Sequence, residues 1–207
     1  MKKVINFQRE PRFPLDPSYN LVAHLDPSYS VMITFYSHGL YRDITMKFPT
    51  RYLPSLLSLS DKTKQARMLQ KSQKLYKKGV YYTRKQVSSF KSKKSNHLAN
   101  ARRIYKVPNV LPSAELAKAT GCSIDALNKI VKKGEGAYFS SGSRPNQTAQ
   151  SWGYARLASA ITGGKSAAVD YKILEDGCDP RGKAHTLARQ AKRKYGYGQG
   201  STRKVMV

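Results

Sequence analysis

Apolar positions change their rhythm near residue 55, from short β-rich runs to helical spacing. In the first part, VMITFY (Val31–Tyr36) and LYRDITMKF (Leu40–Phe48) flank Ser37-His38-Gly39 and predict a β-hairpin. Just before them LDPSYN (Leu15–Asn20) is echoed ten positions later by LDPSYS (Leu25–Ser30). Proline fixes φ while Asp and Ser hydrogen-bond nearby backbone, so each copy predicts a bend. Two copies do not make a repeat array. They predict an extended arm whose isolated hairpin would be marginal without something to pack on.

From Leu59 onward the spacing is helical. Ser60 or Asp61 is expected to cap a helix running to about Lys78, with Gly79 as its stop and sparse apolar positions at Ala66, Met68, Leu69, Leu75 and Tyr76. A second helix is expected over Ser95–Tyr105, with Leu98, Ala101 and Tyr105 on one side, ended by Val107-Pro108 and Leu111-Pro112. In SAELAKATGCSIDALNKIVKKG, Ser113 caps a short helix with Leu116 and Ala117 inward, and Gly121 makes the turn. Ser123 caps the next helix, whose apolar face is Ile124, Leu127, Ile130 and Val131. A small residue four before the turn glycine and aliphatics six and nine after it give the spacing of a helix-turn-helix, which any tight helical hairpin also satisfies.

That helix is expected to stop at Gly134–Gly136, leaving AYFSSGSRPNQTAQSW as a long ordered loop. Ser and Asn side chains would satisfy its backbone, Gly142 would permit an unusual dihedral, Pro145 would fix an entry and Thr148 would cap the next helix. Its other use would be a neutral hydrogen-bonding surface around Arg144. A helix over Ala149–Thr162 then carries Trp152 as a core anchor, Gly163-Gly164 form its C-cap, and Ser166 caps a further helix through Val169, Ile173 and Leu174. Asp179-Pro180 opens a last helix with Ala184, Leu187, Ala188 and Ala191 on one face, and the glycine-rich tail YGYGQGSTRKVMV would be loose in isolation. The fold class is therefore mainly α: a small helical bundle containing a helix-turn-helix-like hairpin, with an extended N-terminal arm and a short β-hairpin. Its divisions are 1–58 (arm and hairpin), 59–106 (basic helical segment), 107–178 (helical core module) and 179–207 (basic helix and tail).

Charge sharpens this picture. The 207 residues carry 38 Lys and Arg against 12 Asp and Glu, a formal +26, and such an excess is most easily tolerated beside an anionic partner. Between Lys62 and Lys106 there are 15 Lys and Arg and no Asp or Glu. An exposed helix normally balances its cations at i,i+4, so a run of one sign points outward to a polyanion. The residues expected to meet it are Lys71, Lys74, Lys77, Lys78, Arg84, Lys85, Lys91, Lys93, Lys94, Arg102, Arg103, Lys129, Lys132, Lys133, Arg144, Arg189, Lys192, Arg193 and Lys194. In KLYKKGVYYTRK tyrosines lie among these charges, an arrangement that suits phosphate contact with base or arginine stacking, or else a small core. The helix after Gly121 begins Ser-Ile-Asp-Ala and keeps Lys129, Lys132 and Lys133 for its far end. It is better suited to phosphate than to base edges.

Catalytic chemistry finds no foothold. His24, His38, His97 and His185 have no ligand spacing, and the acidic residues are too scattered for two-metal chemistry. Gly163-Gly164-Lys165-Ser166 invites a phosphate-loop reading, but that loop needs Gly where Ser159 stands and a strand leading in. No enzyme activity, cofactor, metal or small-molecule substrate is expected. Cys122 and Cys178 have neither CxxC nor Cys/His spacing, so neither a disulfide nor a zinc site is suggested, and a reducing compartment is expected. The N-terminus leads into no apolar signal region and no run is long enough for a membrane span. Asn146-Gln147-Thr148 fits the glycosylation sequon but is expected to stay unmodified.

LYKKGVYYTRKQVSSFKSKKSNH, the run from Glu115 to Leu174 and the final basic helix resemble an uncharacterised protein family of large nucleocytoplasmic DNA viruses of algae and amoebae. SGSRPNQT and SWGYARLASAITGGK are its distinctive blocks. The resemblance covers most of the chain after about Leu53 and brings no catalytic residues. It implies a virion component: a minor capsid protein inside the shell, made in host cytoplasm or nucleus, binding other capsid proteins. Its basic faces would meet viral DNA without sequence preference or the anionic inner membrane surface. The other function that the residues suggest is a helix-turn-helix-like DNA-binding protein for packaging or late transcription.

Overall fold

The computed structural model describes residues 20–25, 31–36, 47–92, 95–196 and 204–206. The chain divides into two units. In the first, β1 (Asn20–Leu25) pairs antiparallel with β2 (Val31–Tyr36), Asn20 opposite Tyr36 and Leu25 opposite Val31. VMITFY is thus a hairpin strand, but its partner is the preceding NLVAHL rather than LYRDITMKF. The Asp-Pro-Ser bends and most of LYRDITMKF lie outside the described residues. Further on, β3 (Lys47–Pro49) pairs with β4 (Lys204–Met206), so the end of the tail expected to be loose is a strand.

The other unit, residues 48–205, holds most of β3 and β4 together with a helical body, and the fold is mainly α. Its helices are α1 (Leu59–Tyr76), α2 (Asn96–Tyr105), α3 (Ala114–Thr120), α4 (Ile124–Ser140), α5 (Ala149–Ile161), α6 (Lys165–Val169), α7 (Tyr171–Gly177) and α8 (Lys183–Tyr195). Ser113, Ser123 and Thr148 cap α3, α4 and α5 through their side-chain oxygens, as their positions predict, and Gly121 turns α3 into α4 in the left-handed conformation. Several boundaries differ from expectation. Ser58, not Ser60 or Asp61, caps α1, its Oγ accepting from the Asp61 N–H, and Ser60 and Asp61 lie within the first turn. Gly164 rather than Ser166 precedes α6, and the helix breaks at Asp170 before α7 begins. Gly182, rather than Asp179-Pro180, stands before α8.

The largest difference is in α4, which runs through Gly134 and Gly136 to Ser140. A Cβ on Gly134 would lie 2.7 Å from the Gly153 Cα, and one on Gly153 would lie 2.9 Å from the Val131 carbonyl oxygen. Gly134 and Gly153 therefore mark a helix crossing between α4 and α5, where backbones meet too closely for side chains, and not a stop. Around that crossing Leu116, Leu127, Ile130, Leu157, Ile161 and Leu174 form the main core with the small alanines of α5, α6 and α8. Ile124, expected on the inner face, is 43% exposed at the first residue of α4. Trp152, expected as a core anchor, is only half-buried and meets the Tyr52 ring edgewise at 6.1 Å.

Most buried polar side chains of the body are matched, His185 Nδ1 being the exception among the described residues. Tyr105 donates its phenol to the Ile161 carbonyl at 2.5 Å, and burial pushes its pKa up, so it stays a donor. Asp170, fully buried, accepts a fork from Arg156 at 2.7 and 2.8 Å and an ion pair from Lys133 at 2.8 Å, joining α4, α5 and the α6–α7 break. The expectation that the cysteines stay unpaired is overturned. Cys122 and Cys178 form a disulfide across 56 residues of chain. Ser123 N–H donates to Gly177 O and Asp179 N–H to Gly121 O, so the turn before α4 and the end of α7 lie side by side as a short antiparallel bridge. No spacing rule reports such a pairing, because the approach is made by the packing of α4 and α7.

Candidate functional site

Charge is segregated along the body. Residues 62–106 hold fifteen cations and no acid, 107–179 hold eight cations and seven acids, and 180–207 hold eight cations and no acid. The helix-turn-helix-like module is thus nearly neutral, and the excess lies on α1, the segment after it, α2 and α8.

Along α1 and just past its end the cations are in register. Lys64, Arg67, Lys71, Lys74 and Lys78 recur at intervals of three and four and are all exposed, while Gln65, Ala66, Met68, Leu69 and Ser72 face inward. The helix has one carboxylate, Asp61, and it is occupied. It accepts from the Ser89 N–H and Oγ at 2.7 Å each and from Ser88 Oγ at 3.2 Å. The Ser89 backbone bond, then its hydroxyl, holds Asp61 below the usual carboxylate range. A lowered folded pKa means that the contact stabilises above the unfolded carboxylate pKa and is lost as pH falls through the folded one. Asp61→Asn should therefore flatten the acid limb of a melting-temperature profile against pH, and an unchanged limb would place the acid sensitivity elsewhere.

The segment after α1, residues 80–92, has no helix or strand of its own and is clamped to the body by the SGSRPNQT loop. Arg84 is the inner clamp. It is 8% exposed and donates to Ser72 Oγ at 3.1 Å, Tyr138 O at 2.9 Å and Ser143 Oγ at 2.8 Å, with its guanidinium 3.7 Å from the Tyr138 ring centroid. Desolvation lowers its pKa, and no described carboxylate pairs with it. Asn146, in the left-handed conformation at φ 57°, is the outer clamp. Its side chain accepts from Val87 N–H at 2.8 Å and donates to Val87 O and Phe90 O at 2.9 and 2.7 Å. Gly142, in the same loop, has φ +99°, and a Cβ there would lie 2.6 Å from Leu69 Cδ2. A run of Ser, Asn and Gly with a single charge, the exposed Arg144, therefore satisfies polar groups of the cationic segment beside it, and not only the loop's own backbone as expected.

This clamp presents an aromatic cluster at the end of α1. Tyr76 and Phe139 lie parallel with centroids 6.4 Å apart, and Tyr81 meets both edgewise at 5.9 and 5.0 Å. Phe139 in turn meets Tyr138 at 4.9 Å, and Lys71 Nζ lies 4.9 Å from the Tyr82 ring centroid. Tyr81 is nevertheless 69% exposed.

Of the cations singled out in the sequence, Lys71, Lys74, Lys77, Lys78, Lys85, Lys91, Arg102, Arg103, Lys132, Arg144, Arg189, Arg193 and Lys194 are exposed. Arg84 is not: its guanidinium is spent inside the body, which corrects its place among the polyanion contacts. Lys93 and Lys94 lie outside the described residues. Lys129 pairs with Asp125 at 2.7 Å, Lys133 with Asp170, and Lys192 lies 4.1 Å from the Tyr171 ring centroid. The α4 cations are thus partly compensated, whereas α1 offers its cations no carboxylate besides Asp61. Lys64 and Arg67 belong to the stripe although charge clustering alone does not pick them out; a helical-wheel count of the acid-free run finds both. The brace on Tyr81 has no such signal, since Phe139 is 58 residues away in the chain.

Residues 49–178 match the model of a family of unknown function (DUF5824). The chain belongs to that family. The match spans α1 through α7, so both the cationic helix and the clamp lie inside the family's boundaries. No curated protein and no solved structure matches the chain.

Proposed function

We propose that this DUF5824 protein is a non-enzymatic structural protein that binds nucleic acid without sequence preference, as a minor capsid component on the inner side of the shell of a large double-stranded DNA virus. The observation that carries the binding is the exposed stripe Lys64, Lys71 and Lys74 on α1, within a run of sequence that holds no acid, continued past the helix end by Lys77, Lys78, Lys85 and Lys91. A helix in solution gains from carboxylates at i,i+4, and beyond Asp61 this one forgoes them. Phosphates at regular spacing supply the missing anions, and releasing their counterions supplies the free energy. The viral setting rests on the SGSRPNQT and SWGYARLASAITGGK resemblance, and neighbouring capsid proteins are its protein partners. An anionic membrane surface would meet the same cations.

Binding through the α3–α4 hairpin as a sequence reader is the less favoured alternative. Exposed Ile124 and Asp125 open α4, and the turn is joined to the end of α7 by the Cys122–Cys178 bridge, so few groups there suit base edges. Titrating the full chain against a random duplex while varying salt separates the readings. Engagement of about five phosphates gives a log–log slope of about −4 to −5. A flat response sinks the proposal, and a preference for one sequence by about 4 kcal/mol or more would favour a regulator. Mass spectrometry of purified particles tests the capsid role, which absence from mature virions would overturn.

A further inference from the structure

The cationic stripe accounts for affinity to phosphate but leaves the exposed rings at its end unexplained. A tyrosine 69% exposed is ordinary when it stands alone. Tyr81 does not stand alone: two rings from different parts of the chain hold it, Tyr76 from the last residue of α1 and Phe139 from α4. The turn beneath it is also fixed, since Gly79 N–H donates to Tyr76 O and Val80 N–H to Leu75 O, both at 3.0 Å. A ring immobilised before binding loses little conformational entropy when a ligand stacks on it. Hydrophobic association with another protein would draw on the same rings, but the surroundings decide against an apolar partner. Lys77 and Lys78 precede Tyr81, Lys85 follows it, all three are exposed, and Lys71 lies by the neighbouring Tyr82 ring. Planar rings set among cations complement a ligand that alternates flat faces with negative charge.

We infer that Tyr81, braced by Tyr76 and Phe139 and flanked in the chain by Lys77, Lys78 and Lys85, is a stacking platform for unpaired bases, so that the protein engages single-stranded nucleic acid at this end of α1. The inference rests on the proposed nucleic-acid binding and adds the strand state of its ligand. In a duplex both faces of each base are already stacked and only phosphates are offered. In a single strand a base can turn onto the ring while its phosphates reach the lysines. The stripe then serves both ligands and the platform only one.

The test measures binding of the full-length protein to three probes of equal length at one salt concentration: a thymidine oligonucleotide, the same backbone with abasic sites, and a random duplex. Removing one stacked base contact corresponds to a loss of about five- to 150-fold. Tyr81→Ala is expected to weaken thymidine-oligonucleotide binding by that factor, leave the abasic and duplex affinities unchanged, and leave the salt slope unchanged. Tyr81→Phe should keep the wild-type values, because the ring and not the hydroxyl stacks. Equal effects of Tyr81→Ala on all three probes, or none on any, would overturn the platform while leaving salt-dependent duplex binding, and with it the proposed function, intact. If no probe binds wild-type protein, both ideas fall together. Self-association abolished by Tyr81→Ala, with oligonucleotide affinity unaltered, would instead make the ring cluster an interface between copies and would also overturn the inference.

Discussion

Removing the Cys122–Cys178 bridge is expected to destabilise the helical body by about 4 kcal/mol. The bond closes 56 residues of chain, and the loop-closure expression for a loop of that size gives about 14 cal/mol/K, or about 4 kcal/mol near room temperature. The enclosed stretch, from the turn before α4 to the end of α7, includes the glycine crossing and the buried Asp170 cluster, so most of the core is affected. For a body of this size the loss corresponds to a fall in melting temperature of about 8–16 °C. Thermal and urea unfolding with and without reductant would measure it, with the paired substitution Cys122→Ala and Cys178→Ala as control. Reductant should have no effect on that variant. A change under about 1 kcal/mol would mean that the backbone bonds Ser123 N–H to Gly177 O and Asp179 N–H to Gly121 O hold the two segments without the sulfurs.

Arg84→Ala is expected to cost about 3–5 kcal/mol, from three hydrogen bonds made by a charged donor and the volume lost against the Tyr138 ring. The guanidinium carries a desolvation penalty with no carboxylate among the described residues to offset it, consistent with its lowered pKa, and this restrains the total. What makes the truncation expensive is that the partners remain: Ser143 and the Tyr138 carbonyl would be left buried. Arg84→Lys keeps the charge but not the planar fork that reaches Ser72 and Ser143 together, and should recover less than half of the loss. Equilibrium urea unfolding gives the magnitude. Hydrogen exchange at the Val87 amide shows whether residues 80–92 come away first. If Arg84→Ala costs under about 1 kcal/mol, the Asn146 clamp carries the segment alone. The same substitution should weaken nucleic-acid binding without removing an exposed cation, because it loosens the positions of Tyr81, Lys85 and Lys91.

Much of the helical body is legible in the sequence because its causes are local. Ser113, Ser123 and Thr148 cap helices through atoms three residues away, and Gly121 adopts a backbone conformation that a residue with Cβ disfavours. The α4 apolar positions Leu127, Ile130 and Val131 announce a buried face by spacing alone. The departures share a different origin. Gly134 reads as a stop because an isolated helix is weakened by glycine, whereas the tertiary fold needs a residue without Cβ where α5 crosses. The size of Trp152 suggests the core, yet at the start of α5 it reaches only the rim beside Tyr52. Arg84 looks like its charged neighbours because sequence counts charges without showing which of them turn inward.

The candidate site divides along the same line. A run of fifteen cations without an acid is a property of the chain, and whatever its conformation that run repels itself and attracts a polyanion. Sequence by itself therefore determined the sign and place of the charge and the helical character. Packing alone decided that Cys122 meets Cys178, that Arg84 is spent indoors, and that Phe139 and Tyr76 support Tyr81. The disulfide, the Arg84–Tyr138 contact and the Tyr81–Phe139 contact join residues 56, 54 and 58 positions apart. Periodicity describes neighbours within a turn or two of backbone, and contacts at such separations exist only after whole helices have been laid against one another.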